Sequence, residues 1–495
     1  MNRWATLPRR RLLGMAGAGL AAAPLPAFAM SEGPAAPAPI DDPWTNFFKG
    51  QRIWAYADRQ SLDPGDRLNV MMAGGPGQPP RLVRLEVFRI GPAAVQTPVW
   101  KSDFVTVGYR AATRSGAAIG PGWPPAIANI DTAGWPPGCY SCDVVEQTTA
   151  TRDVRAAQWI VRNPAKSGAV LVRLGTNTYQ AYNPWGGHSL YPNDDDETRG
   201  LMVSFDRPAP PSFFEYDAYL VGWLEGLAAS LGGVDFASNF DVHADPALLD
   251  RYPLVITGAH DEYWSGEEFS AIERRIFKTG RNTVFFGADA AYCQVRYGDL
   301  NQAPGTSPLG RQLVCYKTSA DPIAARAQAS DASLLVTSLF RDNQRRPESM
   351  LIGGAYQNWF EPASDQRPDY RVASTDLPFF EGTGWKVGDI AAPVIGYEWD
   401  NRDPDGDGKR LWDAQRSHNA KLPQSAVKVI FHGAATGADG RPGVAEATYF
   451  RSAAGAQVFN AGAVRWAWGL GKEGFANPAF QRFNENLVRA LSARS

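Results

Sequence analysis

Three polar loops in the second half of the chain carry the residues best suited to chemistry. They cover residues 177–191, 258–264 and 287–292. The loops concentrate phenols, carboxylates and histidine, and each follows a short apolar run. If those runs are neighbouring strands of a parallel sheet, the loops meet where the strands end, which is where such sheets bind ligands. The sequence therefore predicts one site built from all three loops.

The elements that would position these loops form an alternating pattern. The apolar runs lie at residues 169–174, 254–257 and 283–286. Between them, residues 219–227 have helical spacing, and Ser265 and Glu268 form a capping box for a helix through Ile276. Strand–helix–strand order with short connections predicts an α/β domain over residues 164–495. We expect a parallel sheet of the flavodoxin-like or glutamine-amidotransferase-like kind, with helices on both faces.

The preceding segment, residues 47–163, has a different pattern. Its short alternating runs are separated by Gly and Pro clusters, and they lie at residues 52–57, 67–72, 82–90 and 157–161. Alternation with period two, interrupted by turn residues, predicts an antiparallel β-sandwich.

Several common catalytic signatures are missing from the sequence. It has no Gly-x-Ser-x-Gly elbow, P-loop, dinucleotide-binding glycine motif or His-Glu-x-x-His motif. With five histidines in the chain, a multi-histidine zinc site is hard to build. Cys293 does not lie on a tight turn directly after a strand, which argues against a cysteine nucleophile.

Six motifs in the second half resemble those of the N,N-dimethylformamidase large-subunit family, in its C-terminal domain. They are QAYN at 180–183, GGHSLY at 186–191, HDEYW at 260–264, FFGADAAY at 285–292, VIGYEW at 394–399 and VFNAGAVRWAWGL at 458–470. The similarity runs over most of residues 169–470. The β-rich segment before it is only broadly alike.

This resemblance implies a set of site residues. An iron ion held by two tyrosinates and a glutamate would correspond here to Tyr182, Tyr191 and Glu262, with Tyr179 as the substitute tyrosine. The resemblance also implies surrounding or catalytic roles for three further residues, His260, Asp289 and Glu398. The family has asparagine at the position aligned with Asp289, so an additional carboxylate there would change the local charge.

The chemistry of such a set is reasonable in its own right. Anionic oxygen ligands suit a hard, highly charged ion such as Fe³⁺, and a bound phenol must first lose its proton. The ion would polarise a carbonyl and lower the pKa of bound water. Glu398 could accept the proton of that water, and His260 could orient the water or stabilise an oxyanion.

Structural roles compete with each of these assignments. A tyrosine in an aromatic loop usually packs with its hydroxyl satisfied. Glu262 could form a loop salt bridge, and His260 could bond backbone carbonyls. His188, beside two glycines, is expected to be structural.

The sequence thus predicts a metal-dependent hydrolase of an amide-like C–N bond that acts on a small-molecule amide. The alternative is an exported carbohydrate- or cell-wall-binding protein with an inactive α/β domain. The formal net charge is −2 and there is no Lys/Arg block, which argues against a nucleic-acid partner. No segment after the first 29 residues has the apolar run of about 20 residues that a stable membrane span needs.

The N-terminus has the features of an export signal. Residues 1–29 contain Arg9 and Arg10, then a short apolar stretch, and end in Ala27-Phe28-Ala29. This pattern predicts a twin-arginine signal peptide and a periplasmic or secreted protein. The Pro- and Ala-rich residues 30–46 read as a linker.

Two further features leave alternatives open. Cys139 and Cys142 are expected to form a local disulfide or to remain buried thiols, and Cys293 could bridge to Cys315. The acidic run of Asp403, Asp405 and Asp407 resembles the start of a calcium loop. Because Ala414 stands where a bidentate Glu belongs, a solvated acidic turn is favoured over Ca²⁺ binding.

Overall fold

A computed structural model describes most of the chain beyond the predicted signal and linker. The described residues are 52–92, 97–111, 116–191, 199–208, 212–298, 310–317, 321–325, 335–341, 346–402 and 427–493. The predicted signal peptide, the linker and the acidic run of Asp403, Asp405 and Asp407 lie outside them.

The N-terminal part consists of two sheets built mainly from antiparallel pairs. Its strands are β1 Ile53–Ala57, β2 Ser61–Leu62, β3 Arg67–Gly74, β4 Arg81–Arg89, β5 Trp100–Lys101, β6 Val105–Val107, β7 Pro125–Asp131, β8 Gly138–Glu146 and β9 Arg152–Val161. Strands β1, β3 and β7 form one sheet, and the other six form the second, in which β2 pairs parallel to β9. Alternate side chains of both sheets, such as Val70 and Leu85, share one apolar core.

The C-terminal part is organised around a nine-stranded mixed sheet. The strands after β9 are β10 Val170–Leu174, β11 Met202–Ser204, β12 Val234–Ser238, β13 Leu254–Thr257, β14 Tyr263–Ser265, β15 Asn282–Phe285, β16 Cys293–Tyr297, β17 Gln312–Val314, β18 Ala355–Trp359, β19 Tyr370–Val372, β20 Ile390–Ala392, β21 Glu398–Asn401, β22 Lys428–Thr436, β23 Pro442–Arg451 and β24 Gln457–Asn460. The sheet has the order β12-β10-β13-β15-β24-β23-β22-β19-β20. Its first five strands pair in parallel, as the alternating pattern predicts, and the remaining pairs are antiparallel.

Helices cover both faces of the parallel strands. They are α1 Thr176–Ala181, α2 Ser212–Glu215, α3 Asp217–Leu231, α4 Asn239–Ala244, α5 Gly266–Phe277, α6 Ser349–Ile352, α7 Trp468–Gly471 and α8 Pro478–Ser492. Val170 and Val172 of β10 pack in one core with α3 and α8, whereas Leu171 packs in the opposite core with α4 and α5. This alternation follows from the period of two residues along a strand. The mixed α/β class is therefore confirmed.

Local signals explain where the helices begin. The Ser265 hydroxyl accepts a hydrogen bond from the backbone N–H of Glu268, and the Glu268 carboxylate accepts one from the backbone N–H of Ser265, so the predicted capping box starts α5. Within the described part of the chain, no helix combines the length and the apolar character needed to cross a membrane. All four cysteines are buried free thiols.

Candidate functional site

The three predicted loops meet at the carboxyl ends of β10, β13 and β15. Two glycines permit this close approach. A Cβ at Gly175 would lie 2.5 Å from the carbonyl oxygen of His260, and one at Gly287 would lie 1.8 Å from that of Ala259. Any side chain at these two positions would push the loops apart. The sharp turns after β10 and β15 therefore require glycine.

Tyr182 and Tyr191 come together because the chain folds back after α1. Tyr182 is the C-terminal cap of α1. The backbone N–H of Leu190 then bonds the carbonyl of Ala181 at 2.9 Å, and Ser189 Oγ accepts from the N–H of Tyr191 at 3.0 Å. The two phenol rings stack with centroids 4.1 Å apart.

Both phenols are directed at the carboxylate of Glu262. The Tyr182 hydroxyl lies 2.7 Å from Glu262 Oε2, and the Tyr191 hydroxyl lies 2.5 Å from Oε1. The two hydroxyl oxygens are 2.7 Å apart. Glu262 is fully buried. Oxygen ligands about 2 Å from one ion are separated by about 3 Å, so the donor set fits a single small cation after a slight expansion.

His260 lies beside this trio and links it to a more distant segment. Its Nε2 is 3.7 Å from Glu262 Oε2 and 3.0 Å from Glu398 Oε2. On the other side of the ring, Nδ1 is 3.0 Å from the hydroxyl of Tyr397. Burial lowers the pKa of His260, but the two carboxylates outweigh burial and raise it to about 9.

Asp289 completes the cluster on the third loop. Its backbone has a φ of 55°, a left-handed conformation that asparagine and aspartate adopt more readily than most residues. The N–H of Asp289 donates to Asp400 Oδ1 at 2.9 Å. Burial raises the pKa of Asp400 to about 6, and the nearby Glu398 carboxylate adds to the shift.

The six site residues predicted from the sequence thus form one cluster, in which all but the half-buried Tyr182 are buried. Three of them, His260, Asp289 and Glu398, offer ligand atoms that all lie within 4.8 Å of one another, a group able to hold a metal ion. Tyr179 is directed elsewhere, because its hydroxyl donates to Asp217 at 2.7 Å. His188 is exposed, and its carbonyl accepts from the Arg207 guanidinium.

Four contacts around the cluster were not predicted from the sequence. Thr178 Oγ1 accepts from the backbone N–H of Glu262 at 3.0 Å, and Cys293 Sγ lies 3.6 Å from Glu262 Oε1. Lys317 Nζ lies 3.4 Å from the centre of the Tyr191 ring. Tyr397 is the fourth, and its position next to Glu398 in the VIGYEW motif was the signal that could have drawn attention to it.

The fold and the site define a mixed α/β protein with a buried cluster of phenols, carboxylates and histidine at the carboxyl edge of parallel strands. The chain belongs to the N,N-dimethylformamidase beta subunit-like family, whose C-terminal model matches residues 84–479 of the 495. The match begins within β4, so family similarity extends across the predicted boundary at residue 164. No curated protein matches the chain.

Proposed function

We propose that this protein is a metal-dependent hydrolase of amide-like C–N bonds, with a mononuclear Fe³⁺ held by Tyr182, Tyr191 and Glu262. The observation that carries the proposal is the convergence of two phenol oxygens and one carboxylate within 2.5–2.7 Å. Once a bound ion has displaced the two phenol protons, these groups would give three anionic oxygen ligands in one place. Hard oxygen donors favour a hard cation such as Fe³⁺ over softer metals.

The substrate chemistry follows from what surrounds this donor set. A bound ion polarises the amide carbonyl and makes water more acidic. Glu398, which is 1% exposed, is proposed to accept a proton from the attacking water. The water oxygen bonds to the carbonyl carbon, the C–N bond breaks, and the proton passes to the leaving amine. The products are an amine and a carboxylic acid.

His260 is proposed to act on the oxygen side of the same reaction. Its Nε2 faces the carboxylates, while the Tyr397 hydroxyl holds Nδ1 at 3.0 Å. A ring fixed in this way can direct an N–H at the oxygen that gains negative charge. Asp289 adds a third carboxylate to the cluster and is proposed to make the net charge of the cluster more negative.

The strand order of the large sheet and the division into two domains are also part of the proposal. The five parallel strands, numbered along the chain, lie in the order 2-1-3-4-5, which is the order of flavodoxin-like sheets. The shared core of the two N-terminal sheets supports a β-sandwich over residues 47–163. Residues 164–495 would then form the catalytic domain, which acts on small-molecule amides.

The aromatic residues of the N-terminal part argue against the binding-protein alternative. Trp135, Tyr140 and Trp159 stack on one another inside the core, where they are 7%, 1% and 3% exposed. Rings buried in this way cannot stack on a sugar. The buried polar cluster at the sheet edge, in contrast, favours a catalytic role for the protein.

A hydrolysis assay tests the proposal directly. The full mature chain, loaded with iron, would be given a panel of formamides and acetamides, and amine release would be measured. We expect turnover that a chelator abolishes and added iron restores. If the iron-loaded protein hydrolyses none of these amides, amide hydrolysis is wrong.

A further inference from the structure

The cluster contains more ligand atoms than one ion held by two phenols and Glu262 needs. His260, Asp289 and Glu398 form a second group, with ligand atoms within 4.8 Å of one another. Metal–ligand bonds of about 2.1 Å hold ligand atoms about 3.4 Å apart in a tetrahedral site. The three side chains of this group would therefore move together by up to about 1.4 Å to close around an ion. None of its three members belongs to the proposed iron ligands.

The orientation of His260 supports this assignment. Nε2 is buried, and within the described residues no group meets it in hydrogen-bond geometry, although Glu398 Oε2 is only 3.0 Å away. The ring nitrogen is thus directed beside the carboxylate rather than at it. The Tyr397 hydroxyl fixes the opposite nitrogen at 3.0 Å. Metal-binding histidines have this arrangement, with one nitrogen on the ion and the other held by a second group.

Charge gives an independent reason. Glu262, Asp289 and Glu398 are 0%, 0% and 1% exposed, and His260 is in contact with two of them. Carboxylates buried close together repel one another and lose their hydration, so the arrangement needs compensating positive charge, which either a protonated His260 or a bound cation supplies. One ion on the tyrosine side balances mainly Glu262 and the phenolates. Glu398 and Glu262 both approach Nε2 of His260, at 3.0 and 3.7 Å, and Asp289 offers a carboxylate oxygen within 4.8 Å of the ligand atoms of His260 and Glu398.

We propose that His260, Asp289 and Glu398 bind a second cation, a divalent first-row metal such as Zn²⁺ or Mn²⁺, next to the proposed iron. One nitrogen and two carboxylate ligands suit these ions and leave coordination positions open. Glu262 lies between the two groups, since its Oε2 is 3.7 Å from His260 Nε2. The inference rests on the proposed function only in placing iron on the tyrosine side.

Asp289 is the residue that distinguishes a two-metal site from a one-metal site. Its left-handed backbone accommodates asparagine as well as aspartate, so the backbone does not dictate the choice. Only aspartate adds an anionic ligand. With a second cation bound, His260 and Glu398 would be ligands, and the cation would take the place of the His260 N–H beside the developing oxyanion. Glu398 would hold the cation through one carboxylate oxygen and accept the proton of the attacking water on the other.

Metal stoichiometry in the full mature chain tests the proposal. The protein would be purified with iron, incubated with Zn²⁺ or Mn²⁺, desalted and analysed for each metal. We expect two ions per wild-type chain. Asp289→Asn should keep the iron and its visible absorption band but bind the second metal at least about tenfold more weakly. Asp217→Asn, another buried carboxylate near the same loops, should keep both ions.

Each other outcome has a distinct meaning. One iron per wild-type chain, with no uptake of Zn²⁺ or Mn²⁺, would overturn the second site and leave the proposed function standing. A wild-type chain could bind one ion, show no tyrosinate band and lose that ion in Asp289→Asn. This result would support metal binding by His260, Asp289 and Glu398 and would overturn the tyrosinate assignment. Equal uptake of the second metal by wild type and Asp289→Asn would also overturn the proposal.

Discussion

At the scale of single residues, the main feature of the site is its buried carboxylates. Glu262 and Glu398 are both buried and approach the same ring nitrogen of His260, at 3.7 and 3.0 Å. They nevertheless have different surroundings. Glu262 accepts from both phenol hydroxyls, whereas Glu398 Oε2 lies next to His260 Nε2, at 3.0 Å. We therefore propose coordination for Glu262 and proton transfer for Glu398.

The two glutamates should therefore be separable by mutation. Glu262→Gln removes an anionic ligand, and we expect it to lose the iron together with activity. Glu398→Gln should retain the iron on the tyrosine side but lower turnover at least about 100-fold, because no carboxylate accepts the proton. Iron analysis and amine release measure the two effects. Loss of iron in both variants, or in neither, would contradict the division of roles.

Tyr397 is expected to position His260 rather than to touch substrate. Tyr397→Phe removes the hydroxyl 3.0 Å from Nδ1 and should lower kcat about tenfold with little change in iron content. The pH profile of kcat/KM should also shift, because the imidazole loses a partner. Tyr370→Phe is a matched control, since it removes a buried hydroxyl that bonds the carbonyls of Ala461 and Gly462. A pH profile of Tyr397→Phe that coincides with wild type would argue for a purely structural role.

The six residues predicted from the sequence lie together in the structure, whereas the contacts that hold them were not predicted. His260 and Glu262 follow a strand whose end is easy to recognise, so their place at the sheet edge follows from the pattern. Tyr397, Cys293 and Lys317 reach the site from segments distant in sequence. No spacing rule connects them to it, because tertiary folding alone brings them there.

At the scale of elements, α1 connects the site to the buried carboxylate of Asp217. Thr178 on one side of α1 bonds the backbone of Glu262, and Tyr179 donates to Asp217 Oδ2. Asp217 Oδ1 accepts in turn from the N–H of Ala259, directly before His260. Helix α1 is thus held between the loop of the site and the start of α3.

This carboxylate should make stability depend on pH. Burial raises the pKa of Asp217 from 3.8 to about 6, although Tyr179 and Ala259 donate hydrogen bonds to it. The unfolded chain ionises this group more easily, so its charge costs about 3 kcal/mol of stability above pH 6. The cost diminishes as the pH falls from 6 towards 4 and is absent below that.

Asp217→Asn should remove the charge and keep the contacts, because the amide oxygen can accept from Ala259 while the amide N–H donates to the Tyr179 hydroxyl. We expect the variant to gain urea resistance over wild type at pH 7.5 and to gain none at pH 4. Asp217→Ala, which leaves both partners unsatisfied, should be less stable than Asp217→Asn at either pH by about 1–3 kcal/mol. A difference between wild type and Asp217→Asn that does not vary with pH would refute the explanation.

The pattern of the sequence predicted some elements well and others not at all. The predicted strand at residues 254–257 matches β13, and the capping box opens α5 where expected. The antiparallel half of the large sheet, β19 to β23, was not predicted. Its strands are short or mix glycine and alanine with polar residues, as in β22, so neither a continuous apolar run nor a clear alternation marks them.

For the molecule as a whole, the two parts of the chain meet through specific contacts. Arg311, which directly precedes β17, donates to the carbonyl of Ala57 in β1, and Ser61 donates to Asp241 in α4. The family match also spans both parts. We therefore expect the N-terminal sheets to be required for a folded catalytic part.

Export is the whole-chain property that the sequence alone predicts. We propose that the mature chain begins near Met30 after twin-arginine export. Replacing Arg9 and Arg10 by Lys in a reporter fusion should hold the protein in the cytoplasm. Export that continues unchanged would remove the twin-arginine assignment and leave a general signal peptide as the explanation.

The absorption spectrum of the purified mature protein, measured together with its iron content, tests the central claim most directly. If Tyr182 and Tyr191 bind Fe³⁺, the wild type contains about one iron per chain on these ligands and has a broad tyrosinate-to-iron band in the visible region. Tyr182→Phe and Tyr191→Phe should each weaken that band while the circular dichroism spectrum stays that of the folded protein. A folded wild-type protein that is colourless, and that carries zinc or no metal on these residues, would contradict the account.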